Sequence, residues 1–475
     1  MRFDLLIVGG GISGAGIARD ASLRSIRALL LDKGDFGSGT SCRTTKLVHG
    51  GLRYLEHGQF SLVRQCLAER QTLLRIAPHL VRPLPFLVPL GPSLRRPTWM
   101  VRTGVTLYKI LAGQNRIDSP PHLSQSELTT KIPLLSGQGF GGAASYADAQ
   151  MDDYRLCLEN VLSSLRQGAL ALNHVEAFKA HRETKGWRIQ VRDCLTGEQA
   201  EIHTRCVINA TGPWSDRTEQ ALLQSTKNEI EPTRGAHLLL SKQISDSALL
   251  FLSSDHRVIF LIPWRDGTLV GTTEDPFKGD LDSLETEERE IRFLLNEVQR
   301  QMGPESVRLE DVAGSFVGVR PLVGSLQNRS AFVSRDHHLQ LSAPAWLRVT
   351  GGKYTTYRLM AQQAVDIIEK ELRGRISPCK TAELPLQESS ESGQSIEQRV
   401  QTAVRAEAAR TVSDVFRRMG HGLLLPSAEL QNTILNTAST ALGLSADSTG
   451  QQMEEYRNAL ARQSRALERL KEREL

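Results

Sequence analysis

The chain has 475 residues, with 23% charged and 40% hydrophobic, a balance typical of a globular protein and a length that calls for about two or three domains. No stretch of roughly 18 apolar residues occurs, which excludes a bilayer-spanning helix, and the net charge of +5 allows an anionic substrate or an anionic membrane surface, with no nucleic-acid motif beside it. The cysteines Cys42, Cys66, Cys157, Cys194, Cys206 and Cys379 form no CxxC pair and no metal-ligand spacing, so reduced thiols and no bound metal are expected.

Met1-Arg2-Phe3 leads directly into an apolar run, which leaves no space for a secretory leader and sets the expectation of an intracellular protein. Leu5-Leu6-Ile7-Val8 is followed by Gly9-Gly10-Gly11-Ile12-Ser13-Gly14, then a helical pattern, then Ala28-Leu29-Leu30-Leu31 closed by Asp32. Strand, glycine turn, helix, strand and acid at this spacing form a dinucleotide-binding unit. Gly9 permits the tight turn, Gly11 lets the backbone approach a pyrophosphate, and Gly14 lets the helix lie close to the strand. The pyrophosphate is expected on the helix N-terminus, with Asp32 accepting hydrogen bonds from a ribose.

Lys33 to Ser41 is rich in glycine and hydroxyl groups, a loop suited to wrapping a cofactor, with Thr40 and Ser41 at its end. Lys46 to Leu55 packs His49, Gly50, Gly51, Arg53 and Tyr54 into ten residues, and Ser61 to Ile76 has helical spacing. Pro83, Pro85, Pro89, Pro92 and Pro97 are expected to break regular structure. They lead into Trp99 to Leu111, apolar and aromatic with Arg95, Arg96, Arg102 and Lys109 at its edges. That composition suits either an interfacial membrane helix or a core helix with snorkelling bases.

Asp152 to Gly168 reads as helix, and Trp187 to Val191 and Ala200 to Ile208 as strands. The second of these strands ends in Ala210-Thr211-Gly212-Pro213-Trp214, small residues that admit a second ligand surface. Alternating apolar residues between Thr233 and Arg335 suggest an antiparallel sheet, interrupted by a helix near Glu285 to Met302, and are read as the substrate domain. Trp346 to Thr350 is a strand running into Gly351-Gly352-Lys353-Tyr354-Thr355 and a helix to about Leu372, whose start can face the dinucleotide. Gln387 to Ser395 is a linker. In the helical tail, Met453, Tyr456, Leu460, Leu467 and Leu470 keep an approximate heptad, for which packing on the body is the plainest reading.

Together these segments resemble the FAD-dependent glycerol-3-phosphate dehydrogenases, the respiratory, quinone-linked, aerobic kind within the D-amino-acid-oxidase-like flavoproteins. The motifs that carry the resemblance are GGGISGAGIARDASLR, KLVHGGLRYLEHGQFSLV, NATGPW, GVRPL and GGKYTTYRLMA. Three positions depart from the family pattern: Ser25 follows Arg24, Asp32 stands for Glu, and Glu274 ends Gly271-Thr272-Thr273. The helical C-terminal domain is shorter than the family's.

The resemblance implies an α/β fold with three parts. A discontinuous Rossmann-like FAD-binding domain takes residues 1–80, 140–230 and 336–378. An antiparallel-sheet substrate domain takes 81–139 and 231–335, and a linker with a shortened helical domain takes 387–475. It implies non-covalent FAD held by Gly9, Gly11, Gly14, Asp32, Thr40, Ser41, Lys46, His49, Gly50, Gly51, Ala210, Gly212, Gly352, Lys353 and Thr355. The implied reaction oxidises sn-glycerol 3-phosphate to dihydroxyacetone phosphate by hydride transfer to flavin N5. His237 is the favoured base and His49 its rival. Arg320 steadies the developing alkoxide and Lys353 the reduced flavin. Arg53, Tyr54, Thr272 and Arg335 bind the substrate, whose phosphate suits guanidinium forks. The implied partners are glycerol 3-phosphate, ubiquinone or another quinone, a membrane surface at the cytoplasmic face of the inner membrane, and a second copy in a homodimer. A glycerol-3-phosphate oxidase that makes hydrogen peroxide, an amino- or hydroxy-acid oxidase, and a non-catalytic FAD protein remain open at this point.

Overall fold

The computed structural model describes residues 1–91, 97–255, 257–323, 337–372, 376–387 and 393–474. The fold is mixed α/β, built on two sheets. In the first, the strands run in the order His337–Ala343, Trp346–Gly351, Gln199–Asn209, Arg2–Val8, Ala28–Leu31, Leu170–Leu172. All neighbours in this row are parallel except the edge pair His337–Ala343 with Trp346–Gly351. The hairpin Val175–Glu183 and Gly186–Asp193 joins through Gln199–Asn209.

The central strand is apolar on both sides because both faces are covered. Leu5 and Ile7 enter a core shared with the helices Ile12–Leu23, Asp153–Arg166 and Tyr357–Ile368, whereas Leu6 and Val8 enter one shared with Trp187, Ile189 and Trp346. The helix Ile12–Leu23 lies so close to Tyr357 that a Cβ on Gly16 would stand 2.8 Å from its ring.

The second sheet contains Val81–Pro89, Gly142–Met151, Ile230–Leu240, Ala248–Leu252, Val258–Trp264, Gly267–Gly271 and Val312–Val323, with short edge strands. Two features differ from the sequence expectation. Gly142–Met151, assigned there to the cofactor domain, pairs with Val81–Pro89 and Leu47–Val48 in this sheet. The proline-rich stretch also holds a regular strand. Pro83, Pro85 and Pro89 sit at alternate positions, so their missing N–H groups share one edge, and the intervening residues keep the ladder to Gly142–Met151. The helix Glu288–Met302 covers the sheet through Ile291, Leu294, Leu295 and Val298.

The chain ends in helices. Ile396–Ala406, Val412–Arg418 and Ala428–Leu442 form a small core with Met453 and Tyr456 of the long helix Ala446–Glu474. Further along the same helix, Leu467 and Leu470 enter the core of the second sheet. The heptad pattern therefore packs on the body, one half on each neighbour.

Candidate active site

A cavity of about 890 Å³ opens where the parallel strands of the first sheet end and the second sheet begins. The loops that follow four strands line it. Gly9 and Gly11 follow Arg2–Val8, Asp32 follows Ala28–Leu31, Ala210 and Gly212 follow Gln199–Asn209, and Gly352 and Lys353 follow Trp346–Gly351. The carboxyl ends of parallel strands are where open α/β sheets bind their ligands.

Local geometry explains the glycines. Gly9 has a φ of +105°, and a Cβ there would meet the Ala210 carbonyl at 2.7 Å. A Cβ on Gly14 would lie 1.8 Å from the Gly9 carbonyl, so that position admits glycine alone. Asp32 braces two turns at once, accepting from Gly10 N–H at 2.6 Å and Gly34 N–H at 2.8 Å. Ser41 Oγ accepts from the Ile12 N–H at 2.9 Å, which ties the hydroxyl-rich loop to the start of the helix. A glycine cradle, a helix start at Gly11 with no side chain of its own, and a cavity of this volume fit an extended dinucleotide such as FAD.

The far end of the cavity is built by the second sheet. Ile230–Leu240 runs antiparallel to Val312–Val323, with His237 opposite Phe316 and Thr233 opposite Arg320. The two-residue period puts His237, Phe316 and Arg320 on one face. His237 stacks on Phe316, and its Nε2 lies 3.0 Å from Thr45 Oγ1. Its Nδ1 lies against the Gly235 backbone without reaching hydrogen-bond geometry. Burial, then the charges of Arg320 and Lys46, holds the imidazole well below its ordinary range, so it is neutral at pH 7. Arg320 Nη2 donates to Thr272 Oγ1 at 3.3 Å. Two glycines make room for this cluster. A Cβ on Gly271 would stand 2.2 Å from the His237 ring, and one on Gly235 would stand 2.6 Å from Thr272 Oγ1. A neutral imidazole beside a guanidinium, both facing open cavity, can take a proton from a hydroxyl while a positive charge steadies the oxygen.

Lys353 and Tyr54 also line the cavity, with Lys353 Nζ 3.6 Å from the centre of the Tyr54 ring and 3.6 Å from Cys66 Sγ. His49 and Thr40 are further lining residues, and the His49 N–H donates to Thr355 Oγ1 at 3.1 Å.

Other residues expected at the site stand elsewhere. Lys46 is buried with its Nζ 2.5 Å from Asp153 Oδ1 and 2.6 Å from the Cys42 carbonyl, so its charge serves a buried ion pair rather than the cavity. Gly50 donates to the Tyr108 hydroxyl at 2.8 Å, and Gly51 turns the chain at a φ of +81° beneath the Tyr54 ring. Gly14, Gly50, Gly51 and Thr355 shape the walls without lining the cavity. Arg53 is exposed and outside the lining, because the short helical turn Leu52–His57 carries it to the surface. Thr272 reaches the site through Arg320 rather than by lining it. Arg335 lies outside the described residues.

Sequence reasoning missed several lining residues, among them Thr45, Arg43 and Arg417. Thr45 directly precedes the KLVHGG motif, a position that could have pointed to it.

A family model described as "FAD dependent oxidoreductase" matches residues 4–358. A D-erythritol 1-phosphate dehydrogenase of Brucella abortus (strain 2308) is 38% identical, over 76% of this chain and 72% of that protein. A glycerol-3-phosphate dehydrogenase of Synechocystis sp. is 35% identical, over 81% of this chain and 73% of that protein. The mitochondrial glycerol-3-phosphate dehydrogenase of Mesocricetus auratus is 37% identical over 81% of this chain, which spans only 55% of that longer relative. Among solved structures, a glycerol-3-phosphate dehydrogenase from Bacillus halodurans complexed with FAD superposes with a TM-score of 0.77 at 24% identity. The match covers 97% of this chain and 95% of that one and supports the fold.

Proposed function

This chain belongs to the FAD dependent oxidoreductase family, among its FAD-dependent glycerol-3-phosphate dehydrogenases, and from that premise we propose that it oxidises the secondary alcohol of sn-glycerol 3-phosphate to dihydroxyacetone phosphate. The observation that carries this reading is the pairing of neutral, buried His237 with Arg320 on one face of the cavity. FAD, when bound, supplies the two-electron acceptor. His237 Nε2 takes the hydroxyl proton by way of the Thr45 hydroxyl, which lines the cavity 3.0 Å from it. Thr45 receives the substrate proton as it hands on its own, while the stack on Phe316 holds the ring. Arg320 steadies the developing alkoxide, oriented by Thr272. Tyr54 and Lys353 line the same cavity, and Lys353 offsets the negative charge that builds on the cofactor. Anaerobic loss of the yellow flavin absorbance on adding glycerol 3-phosphate tests the proposal.

The electron acceptor in this reading is a membrane quinone. Among the described residues no helix is long and apolar enough to cross a membrane. Contact in this reading is peripheral, at the cytoplasmic face of the inner membrane. The helix Thr98–Ala112 supports it. Val105 and Tyr108 are buried in the body, while Trp99 is 65% and Ile110 67% exposed, with Arg102 exposed beside them. Aromatic, aliphatic and basic groups on one outward face suit an anionic lipid interface.

The similarity to a D-erythritol 1-phosphate dehydrogenase favours a second reading, in which the substrate is a longer polyol phosphate oxidised by the same groups. Comparing the reduction rates given by the two phosphates separates these readings.

A further inference from the structure

The loop that follows Asp32 is gripped from outside by the C-terminal helices. Asp35 lies buried on this loop and receives a two-pronged contact from Arg418, with Nη1 2.5 Å from Oδ2 and Nη2 2.8 Å from Oδ1. The Tyr154 hydroxyl donates to Asp35 Oδ2 at 3.1 Å and the Asn173 amide to Oδ1 at 3.2 Å, so both carboxylate oxygens are fully used. Arg418 is fixed in turn by the Glu407 carbonyl, which accepts from its Nε at 3.2 Å and its Nη2 at 3.0 Å. A bidentate guanidinium–carboxylate pair of this kind sets geometry as well as charge.

The preceding residue, Arg417, lines the dinucleotide cavity together with Ser38 and Arg43, and also the adjoining cavities beside Cys42. Its Nη1 stands 3.7 Å from Asp35 Oδ2 and 3.6 Å from Asp414 Oδ1, beyond hydrogen-bonding distance of both. Asp35 is engaged by Arg418 through both oxygens and Asp414 by His174 through Oδ2 at 2.9 Å, so Arg417 adds a longer ion pair to Asp35 and to the remaining oxygen of Asp414. Opposite, Asp282 takes Lys33 at 2.7 Å and the Trp214 indole N–H at 2.9 Å. The Arg417 guanidinium is held between Asp35 and Asp414 at ion-pair distance, without a direct hydrogen bond to either, and lines the cavity from there.

We infer that the C-terminal segment is part of the cofactor site: Arg417 supplies positive charge to the phosphate-bearing part of the dinucleotide, and the Arg418–Asp35 pair fixes the loop 32–41 and aims Arg417. Arg417 is a binding residue in this arrangement and Arg418 a positioning residue. The inference rests on FAD being the bound dinucleotide.

The test is titration of the flavin-stripped protein with FAD, followed by flavin fluorescence, with circular dichroism confirming that each apoprotein is folded. Arg417→Ala is expected to weaken FAD binding by about tenfold at low salt. The gap from wild type should narrow as ionic strength rises, and Arg417→Lys should recover most of the loss. Arg418→Lys, which keeps the charge and loses the fork, and Asp35→Asn should each weaken binding as well. If these two fail to fold, the Arg417 pair carries the decision alone. Affinity of Arg417→Ala within twofold of wild type would overturn the inference. So would a loss that neither salt nor Arg417→Lys changes, since that marks a packing role. Wild-type apoprotein that takes up no FAD would instead overturn the cofactor assignment itself.

Discussion

The imidazole of His237 lies flat on the ring of Phe316, with centroids 4.9 Å apart and planes 11° from parallel. The two residues face each other across antiparallel strands, so the strand register itself fixes the ring. Thr45 then holds Nε2 at 3.0 Å from a segment 192 residues away in sequence. His237→Gln should therefore keep the fold and bound flavin while slowing flavin reduction by about 10²- to 10⁴-fold, the range for loss of a general base. Stopped-flow reduction at neutral pH measures this. A wild-type rate would return the proton to His49 or to water.

The pH profile follows from the same environment. Burial, Arg320 and Lys46 all disfavour the imidazolium, so the base form persists well below the usual histidine range. Flavin reduction should stay flat from pH 8 down through about 6.5, the ordinary value, and fall only in more acidic solution. Arg320→Gln removes one of the charges that holds the pKa down. Its acid limb should move toward neutral pH, with turnover lower by about 10²- to 10³-fold from the lost oxyanion support. An acid limb unmoved by the substitution would show that Arg320 does not act on His237.

How far the site could be read from the chain depends on how local each feature is. The turn from Gly9 to Gly14 and the acid at Asp32 were legible because they are consecutive and obey a steric rule. The pairing of His237 with Thr45 was not, because strand register decides it and no local pattern records register. Lys46 shows a related limit: it sits inside a cofactor motif, and its sequence neighbours do not show that its side chain turns to Asp153. The prolines of Val81–Pro89 read as breakers because composition does not show that alternate prolines leave one edge of a strand intact.

The Lys46–Asp153 pair is buried on both sides, with side chains 3% and 1% exposed. Asp153→Asn leaves the ammonium without its counter-charge and should destabilise the protein by about 3–5 kcal/mol. Denaturant unfolding measures it. A loss under about 1 kcal/mol would mean that Lys46 reaches water or another partner.

Two glycines offer a contrast. Gly14→Ala places a methyl group on the Gly9 carbonyl and should yield protein that does not retain FAD. Gly104 lies inside the helix Thr98–Ala112, where an added Cβ would meet nothing within 4 Å, so Gly104→Ala should stabilise by about 0.5–1 kcal/mol. Flavin content and thermal melts of both variants check the pair.

Membrane contact is tested on the outward face of that helix. Replacing Trp99 and Ile110 together with Ser should reduce co-sedimentation with anionic vesicles and slow quinone reduction, leaving anaerobic flavin reduction unchanged. Equal vesicle binding by the variant and the wild type would move the membrane surface elsewhere.

The most direct measurement is anaerobic mixing of the FAD-loaded protein with glycerol 3-phosphate, and separately with erythritol 1-phosphate, while the visible flavin band is recorded. Rapid bleaching by glycerol 3-phosphate, with the longer polyol phosphate slower, is the expected result. Bleaching by the longer polyol phosphate alone would move the substrate to that class. A flavin that neither phosphate reduces would contradict the assignment of this site to polyol-phosphate oxidation.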